Sequence, residues 1–488
     1  MTKQQEIEIV KNIVNEFNNL KTSVVSDGQF RNGDITRNKI IKTLKDNDKY
    51  LQMFYKWEKM RNDRKTNHYS LEFSDSSKNI TKSLSKEEKK KNGIYFTPPQ
   101  IIKKDVDFIF NKNKTITNIL EPSCGSCEFI NYLDFITKNK NIDGVEFNSK
   151  IYENIKDNRY VNNNVNIIHH DFLTFMPDKL YDLIIGNPPY FNLVKNSIPK
   201  EYHKYMNGRT SIYIIFILKC LSLLSKNGIL SFVLPQNFLN CSYYKLVREK
   251  IFNEYTIINI NNHNEECYLE TEQKTCTLMI QNKLDKSISN KFTKINMSGD
   301  IVFNTIENIN KITELEKNTV NLNSLGFRVS VGNVVWNQEK EHLTNNSEDV
   351  LIIYSSDITQ NRYSMYQFSK KSEKDGKFHY IKKSGLKNNQ LQSITGNPCL
   401  VINRGYGNGN YTFNYALINE NSETPYLVEN HVICIKPKVN QEKVKLIELY
   451  KKIINSFNNE KTKEFVKLAF TNDAINCDEL EYALPIYL

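Results

Sequence analysis

The sequence predicts an α/β chain with a doubly wound, mostly parallel sheet at its centre. Two observations lead to that class. Between about residues 94 and 285, short apolar, mostly β-branched runs alternate with stretches long enough for crossover helices. Turn residues bound these runs, and the polar residues able to do chemistry stand just beyond several of them.

Seven runs are candidates for the strands: residues 117–121 (TNILE), 142–146 (IDGVE), 165–170 (VNIIHH), 181–186 (YDLIIG), 228–235 (GILSFVLP), 256–260 (TIINI) and 275–281 (TCTLMIQ). The first five have room for helices between them, as parallel pairing requires. The last two lie close together and predict an antiparallel edge pair. Upstream, residues 1–90 form a helical N-terminal extension, with Phe17, Leu20, Ile40, Ile41, Leu44 and Leu51 at helix-like spacing. Its last part, residues 74–93, is Ser/Lys-rich and reads as an exposed linker. The sheet domain spans 91–285, a polar connector 286–320, and an α+β region 321–488. That last region has strand-like runs at 400–407 and 431–437 and a helical stretch near 441–470.

Composition narrows the function. At 39% hydrophobic the chain can build cores. A net charge of +11 suits a polyanionic partner without requiring one. Among nine cysteines only Cys124 and Cys127 make a CxxC, with no second pair at zinc spacing. Reduced thiols and no metal are the expectation. The N-terminus lacks the apolar run of a secretory signal. The longest apolar stretch, near Ile212–Leu224, contains Lys219 and is short of the ~20 residues that cross a bilayer. We expect an intracellular, cytoplasmic protein without membrane contact.

The sharpest motif is Asn187-Pro188-Pro189-Tyr190, directly after the run YDLIIG. Ligands of open α/β sheets bind beyond the carboxyl ends of the strands. Two prolines hold the backbone extended. The Pro188 carbonyl and the Asn187 side-chain oxygen are then two acceptors beside an aromatic ring, which suits a planar NH2 group. Glu121-Pro122-Ser123-Cys124-Gly125 follows the first run, and its small residues let backbone approach a ligand. Glu146 ends the second run, where an acidic residue commonly accepts from ribose hydroxyls or is simply solvated. Asp171-Phe172 follows the third, where Asp171 could bond an adenine ring or cap the next turn.

In this order the motifs resemble those of the amino-group DNA adenine methyltransferases, in the group with N-terminal cofactor motifs and a C-terminal target-recognition domain. The resemblance covers about 94–285 and implies a Rossmann-like seven-stranded methyltransferase sheet. It implies S-adenosylmethionine as cofactor. Gly93 to Pro99, including Tyr95 and Thr97, match the motif that helps enclose the methionine moiety. The resemblance places Glu121, Pro122, Ser123 and Gly125 near that moiety, Glu146 with Phe147 at the ribose, and Asp171 with Phe172 at the cofactor adenine. Asn187 to Tyr190 would form the catalytic loop, with Asn187 also at the cofactor. Tyr190 would stack on a flipped adenine, and Tyr244, in a later motif, would touch its edge or other face. Tyr244 reads equally well as a core aromatic. The turn SCGSC departs from the commoner alanine- or glycine-rich versions.

The implied reaction is methylation of adenine N6 in duplex DNA. Asn187 and the Pro188 carbonyl would accept the amine hydrogens, and the base must leave the stack first. The C-terminal region would read sequence through Asn403 and Arg404, or these residues belong to an ordinary hairpin turn. The lysines of 367–388 would contact phosphate. A separate cognate restriction endonuclease and a monomeric enzyme complete the expectation. The alternatives are an RNA or protein-glutamine methyltransferase with the same loop, and a bifunctional restriction enzyme.

Overall fold

A computed structural model describes residues 69–113, 115–194, 197–206, 210–263, 268, 274–403, 413–470 and 475–488. The predicted helices of residues 1–68, and Arg404 with its glycine-rich loop, lie outside the described residues. The chain divides into two units, Met1–Glu72 and Phe73–Leu488, and every element below belongs to the second.

The Ser/Lys-rich stretch folds rather than forming an exposed linker. It makes two short helices, α1 (Asp75–Ser83) and α2 (Lys86–Asn92), each started by a serine whose hydroxyl accepts a backbone N–H of the first turn. Ser85 and Glu88 form a reciprocal capping box, and Gly93 ends α2 in the left-handed region at φ 63°. Helix α1 is tied down through Ser77, whose hydroxyl bonds Glu128 and Ser126. Local caps and one buried hydroxyl thus outweigh a linker-like composition.

After α3 (Pro99–Lys112) the central sheet begins. Its elements are β1 (Asn118–Glu121), α4 (Glu128–Ile136), β2 (Asn141–Glu146), α5 (Ser149–Ile155), β3 (Asn164–His169), β4 (Tyr181–Gly186), α6 (Ile212–Ser222), β5 (Leu224–Pro235), α7 (Lys245–Glu254), β6 (Thr256–His263) and β7 (Thr275–Gln281). The spatial order is β3-β2-β1-β4-β5-β7-β6. Strands β1 to β5 pair in parallel, while β7 runs antiparallel between β5 and β6. This is the doubly wound methyltransferase sheet, with the strand order reversing beside β1. Strand β4 is almost wholly buried, as a parallel strand covered on both faces should be. Helix α6 is apolar all round except Lys219, and every residue from Ile212 to Leu221 is buried. Among the described residues no helix is long and apolar enough to cross a membrane.

The polar connector also folds. It contains an antiparallel hairpin, β8 (Thr293–Ile295) with β9 (Ile301–Phe303), then helix α8 (Ile306–Leu315). Phe303, at the end of the short run Ile301–Phe303, and Phe292, alone among polar residues, enter the sheet's hydrophobic core.

Beyond it, β10 (Phe327–Val331), β14 (Cys399–Asn403), β15 (Tyr415–Ile418) and β17 (Val432–Pro437) form an antiparallel sheet in the order β10-β17-β14-β15. A second four-stranded sheet orders β11 (Leu343–Thr344), β13 (Tyr380–Ile381), β12 (Val350–Ile353) and β16 (Tyr426–Val428). Strand β14 is read on both faces. Leu400 and Ile402 pack with Leu446, Tyr450 and Ile453 of α9 (Lys443–Phe457), while Cys399 and Val401 pack with Leu351 and Ile353 of the second sheet. The predicted helical stretch near 441–470 is α9 followed by α10 (Glu460–Ala469).

Candidate active site

Four parallel strands end on one edge of the sheet, and the chemistry-bearing residues gather there. Glu121 is the last residue of β1, Glu146 the last of β2, Asp171 follows β3 by two residues, and Asn187 follows β4 directly. They line a cavity of about 280 Å³. Tyr95, Thr97, Glu121, Pro122, Ser123, Gly125, Glu146, Phe147, Asp171, Phe172 and Asn187 all line it, together with Pro189. Pro188, Tyr190 and Tyr244 are not among its lining residues.

The turn after β1 is held by the carboxylate at the end of β2. Glu146 Oε2 accepts the Gly125 N–H at 2.9 Å, and its Oε1 accepts the Asn148 N–H at 2.7 Å. The Cys124 N–H reaches the Val145 carbonyl at 2.8 Å. Gly125 sits at φ 50°, with Phe96 so close that an added Cβ would be 3.1 Å from its ring. Burial raises the Glu146 carboxyl, and the N–H groups of Asn148 and Gly125 pull it back. Burial pushes Glu121 well above the usual carboxylate range, and neighbouring Cys127, Glu146 and Glu128 add to it.

Two buried side-chain oxygens on this cavity have no protein partner, Glu121 Oε2 and Thr97 Oγ1. Unsatisfied buried polar atoms are rare in folded proteins, and here they face a space that a polar ligand would fill. S-adenosylmethionine fits this donor set: carboxylates for its ammonium and hydroxyl groups, the Gly125 turn for close backbone approach, and Phe147 and Phe172 as apolar wall.

The catalytic-loop candidates are fixed from two sides. The Asn187 amide donates to the Tyr95 carbonyl at 2.9 Å, and the Asn187 carbonyl accepts from Ser123 Oγ at 3.1 Å. Gly93 lies directly behind the loop, in the left-handed region, and an added Cβ would stand 2.5 Å from the Tyr190 backbone nitrogen. The Tyr190 ring turns inward. Its hydroxyl contacts Asn187 Oδ1 and the Val233 carbonyl, and its ring meets Tyr213 edge-on at 5.8 Å. Burial keeps this phenol protonated, hence a donor. Tyr244 also packs on Tyr213, at 5.6 Å, and on Phe238 at 5.9 Å. Both tyrosines therefore stand as core-facing aromatics here, on a shared partner.

Asp171 caps the turn that follows it and also lines the cavity. Its Oδ1 accepts the Leu173 N–H at 2.9 Å. The sequence reading missed Phe96, Phe129, Asn148, Phe191 and Phe216, which also line it. Phe96 stood beside predicted Tyr95 and was detectable. Phe216 was not, because α6 is apolar on every face and no periodicity singles out one phenylalanine.

Asn403, the described one of the two target-reading candidates, is not among the residues lining this cavity. The Asn403 amide donates to the carbonyls of Ser355 at 3.0 Å and Ile358 at 3.3 Å. In this structure its amide donors hold a strand end to a neighbouring turn. In the lysine-rich stretch, Lys377 lies over the rings of Trp336, Tyr354 and Phe368 at 4.9, 4.8 and 5.0 Å. Lys387 pairs with Glu339 at 3.1 Å. Lys370, Lys371, Lys382 and Lys383 are exposed.

A seven-stranded sheet whose last-paired strand is reversed, with this cavity at its parallel strand ends, defines an S-adenosylmethionine-dependent methyltransferase. Comparison with known proteins agrees and goes further. Residues 34–269 match the Eco57I restriction-modification methylase family. The chain is similar to Type II methyltransferase M.CvrRI of Paramecium bursaria Chlorella virus XZ-6E, 28% identical over 421 residues, which cover 85% of this chain and 99% of the relative. It is similar to modification methylase CviBIII of Paramecium bursaria Chlorella virus NC1A, 34% identical over 203 residues, 41% of this chain and 52% of the relative. A shorter segment resembles the tRNA1(Val) (adenine(37)-N6)-methyltransferase of Aliivibrio fischeri, 39% identical over 69 residues, 14% of this chain and 30% of that one. These matches support a DNA methyltransferase of the restriction-modification type.

Proposed function

We propose that the chain methylates the exocyclic N6 of adenine within a short duplex DNA sequence, as the modification enzyme of a type II restriction-modification system. The observation that carries this reading is the Asn187–Tyr190 loop, held by Tyr95 and Ser123 at the rim of the cofactor cavity. The tRNA relative, whose name specifies adenine N6, supports the choice of atom. The nearly full-length relative, a type II methyltransferase, supports DNA as the substrate.

When bound, S-adenosylmethionine supplies an electrophilic methyl on a sulfonium. The protein's part is alignment and hydrogen bonding. The adenine amine is a weak nucleophile because its lone pair is delocalised into the ring. Asn187 Oδ1 and the Pro188 carbonyl accept its two hydrogens, favour a pyramidal nitrogen, and bond more strongly as positive charge develops there. The Tyr190 hydroxyl holds Asn187 Oδ1 in the free enzyme and gives way to the base. A target inside a duplex is out of reach, so the base is extruded, at a few kcal/mol. Tyr190 then turns from Tyr213 to stack on it, worth ~1–3 kcal/mol. Lys370, Lys371, Lys382 and Lys383 contact phosphate and hold the duplex without reading it.

Transfer of a labelled methyl group to duplex DNA, to tRNA and to protein tests this reading. We expect label in duplex DNA only. Preferential labelling of tRNA would replace the DNA reading with an RNA one.

A further inference from the structure

Lys219 is the lone charge in the most apolar helix of the chain and is 6% exposed. A buried lysine without a carboxylate partner is expensive, so its position calls for a reason. Its ammonium donates to two backbone carbonyls, Phe172 at 2.7 Å and Leu173 at 2.9 Å, and stands 5.0 Å from the centre of the Phe172 ring. One turn earlier on the same helix, Phe216 packs on Phe172 with ring centres 4.8 Å apart and lines the cofactor cavity.

The segment held in this way is the turn after β3. Asp171 caps it from the front through the Leu173 N–H. Behind, Lys219 donates to the Leu173 carbonyl and shares the Phe172 carbonyl with the Phe175 N–H, which reaches it at 3.2 Å from within the turn. Desolvation lowers the Lys219 pKa from its ordinary value, and neighbouring Cys220, Asp171 and Glu201 act in the opposite direction.

We infer that Lys219 is a positioning residue for the cofactor: from α6 it sets the place of Asp171 and Phe172, and so the affinity for the adenosyl end of S-adenosylmethionine. This rests on the proposed cofactor role of Asp171 and Phe172. A merely structural lysine would affect stability alone, through the carbonyls left without its donors, and would leave cofactor binding unchanged.

The test is a set of three variants in the full chain, Lys219→Met, Lys219→Arg and Asp171→Ala, measured by calorimetric titration with S-adenosylhomocysteine, by methyl-transfer kinetics and by thermal unfolding. We expect Asp171→Ala and Lys219→Met each to weaken binding about tenfold, the equivalent of one charge-assisted hydrogen bond. In Lys219→Met the cofactor KM rises by the same factor, kcat moves less than about threefold, and Tm falls because the Leu173 carbonyl loses its donor. Lys219→Arg restores most of the binding, because a guanidinium can bridge both carbonyls. If Asp171→Ala weakens binding but Lys219→Met does not, the positioning role is overturned and the site assignment stands. If neither weakens binding, the assignment of Asp171 and Phe172 falls first. A Lys219→Met protein that loses Tm and binds normally when folded also overturns the inference.

Discussion

The central sheet and the C-terminal region differ in how sequence relates to site. In the central sheet, parallel pairing forces the ends of β1, β2, β3 and β4 onto one edge. Residues 66 positions apart, Glu121 and Asn187, must therefore share a cavity once the strands are identified. In the C-terminal region the strands of the β14 sheet are antiparallel, so consecutive loops leave from opposite edges. A loop after an apolar strand there is not directed to any common place. Asn403 illustrates this: the same residue type that could read adenine is bonded to Ser355 and Ile358.

This contrast is broken or sharpened by substitution. The largest effect is expected for Asn187→Ala, with methyl transfer falling about 10²–10³-fold, the typical loss for one aligned transition-state hydrogen bond. DNA binding, read by electrophoretic shift, should be largely retained. Turnover near that of the parent would remove the loop from the chemistry.

Next is Gly93→Ala. A Cβ there meets the Tyr190 nitrogen at 2.5 Å, and the left-handed backbone adds ~1–2 kcal/mol of strain. The loop must shift, and an ångström of misplacement can cost about 10²-fold in rate. We expect a large kcat loss with a smaller fall in Tm. Only the fold of α2 and the resulting approach make Gly93 visible as a constraint on catalysis. In the sequence it is merely the first residue of a recognisable motif.

A smaller effect is expected from pH. Glu121 is raised by burial, so the free folded protein holds its proton more tightly than the unfolded chain. The stability it contributes is present below the unfolded pKa and lost as pH rises through the folded value. A cation bound beside it favours the ionised carboxylate, so cofactor affinity should rise with pH over that same window, with release of a proton. Calorimetry in buffers of different ionisation enthalpy reads the proton directly. In Glu121→Gln both the proton release and the pH dependence should disappear, with affinity lowered about tenfold at high pH.

The smallest effect is expected for Asn403→Ala. Losing donors to two carbonyls should cost about 1–3 kcal/mol of stability, read by thermal unfolding, and leave the methylated sequence unchanged. A changed recognition sequence would return Asn403 to the target-reading set and weaken the contrast drawn between the two regions.

The strands of the central sheet were legible because β-branched runs bounded by turns are a local signal, and their edge pair because two runs lay too close for a crossover. All eleven predicted cofactor residues stand around one cavity, nine because they end or follow a strand, and Tyr95 and Thr97 through the motif that precedes α3. The inward rotamer of Tyr190 was not legible, and that of Tyr244 was one of two open readings, since both depend on Tyr213, a residue inside a helix apolar on every face. The folding of residues 286–320 was missed for a similar reason. Phe292 and Phe303 are anchored by long-range packing that no local pattern announces.

The central claim is that the Asn187–Tyr190 loop presents acceptors to the amino group of an adenine. It is tested most directly by methylating duplex DNA with the purified chain, digesting the product to nucleosides and identifying the methylated one by mass spectrometry. The account predicts N6-methyldeoxyadenosine, absent when Asn187→Ala replaces the parent chain. Methyl groups found on cytosine, or on adenine in equal amount with Asn187→Ala, would contradict it.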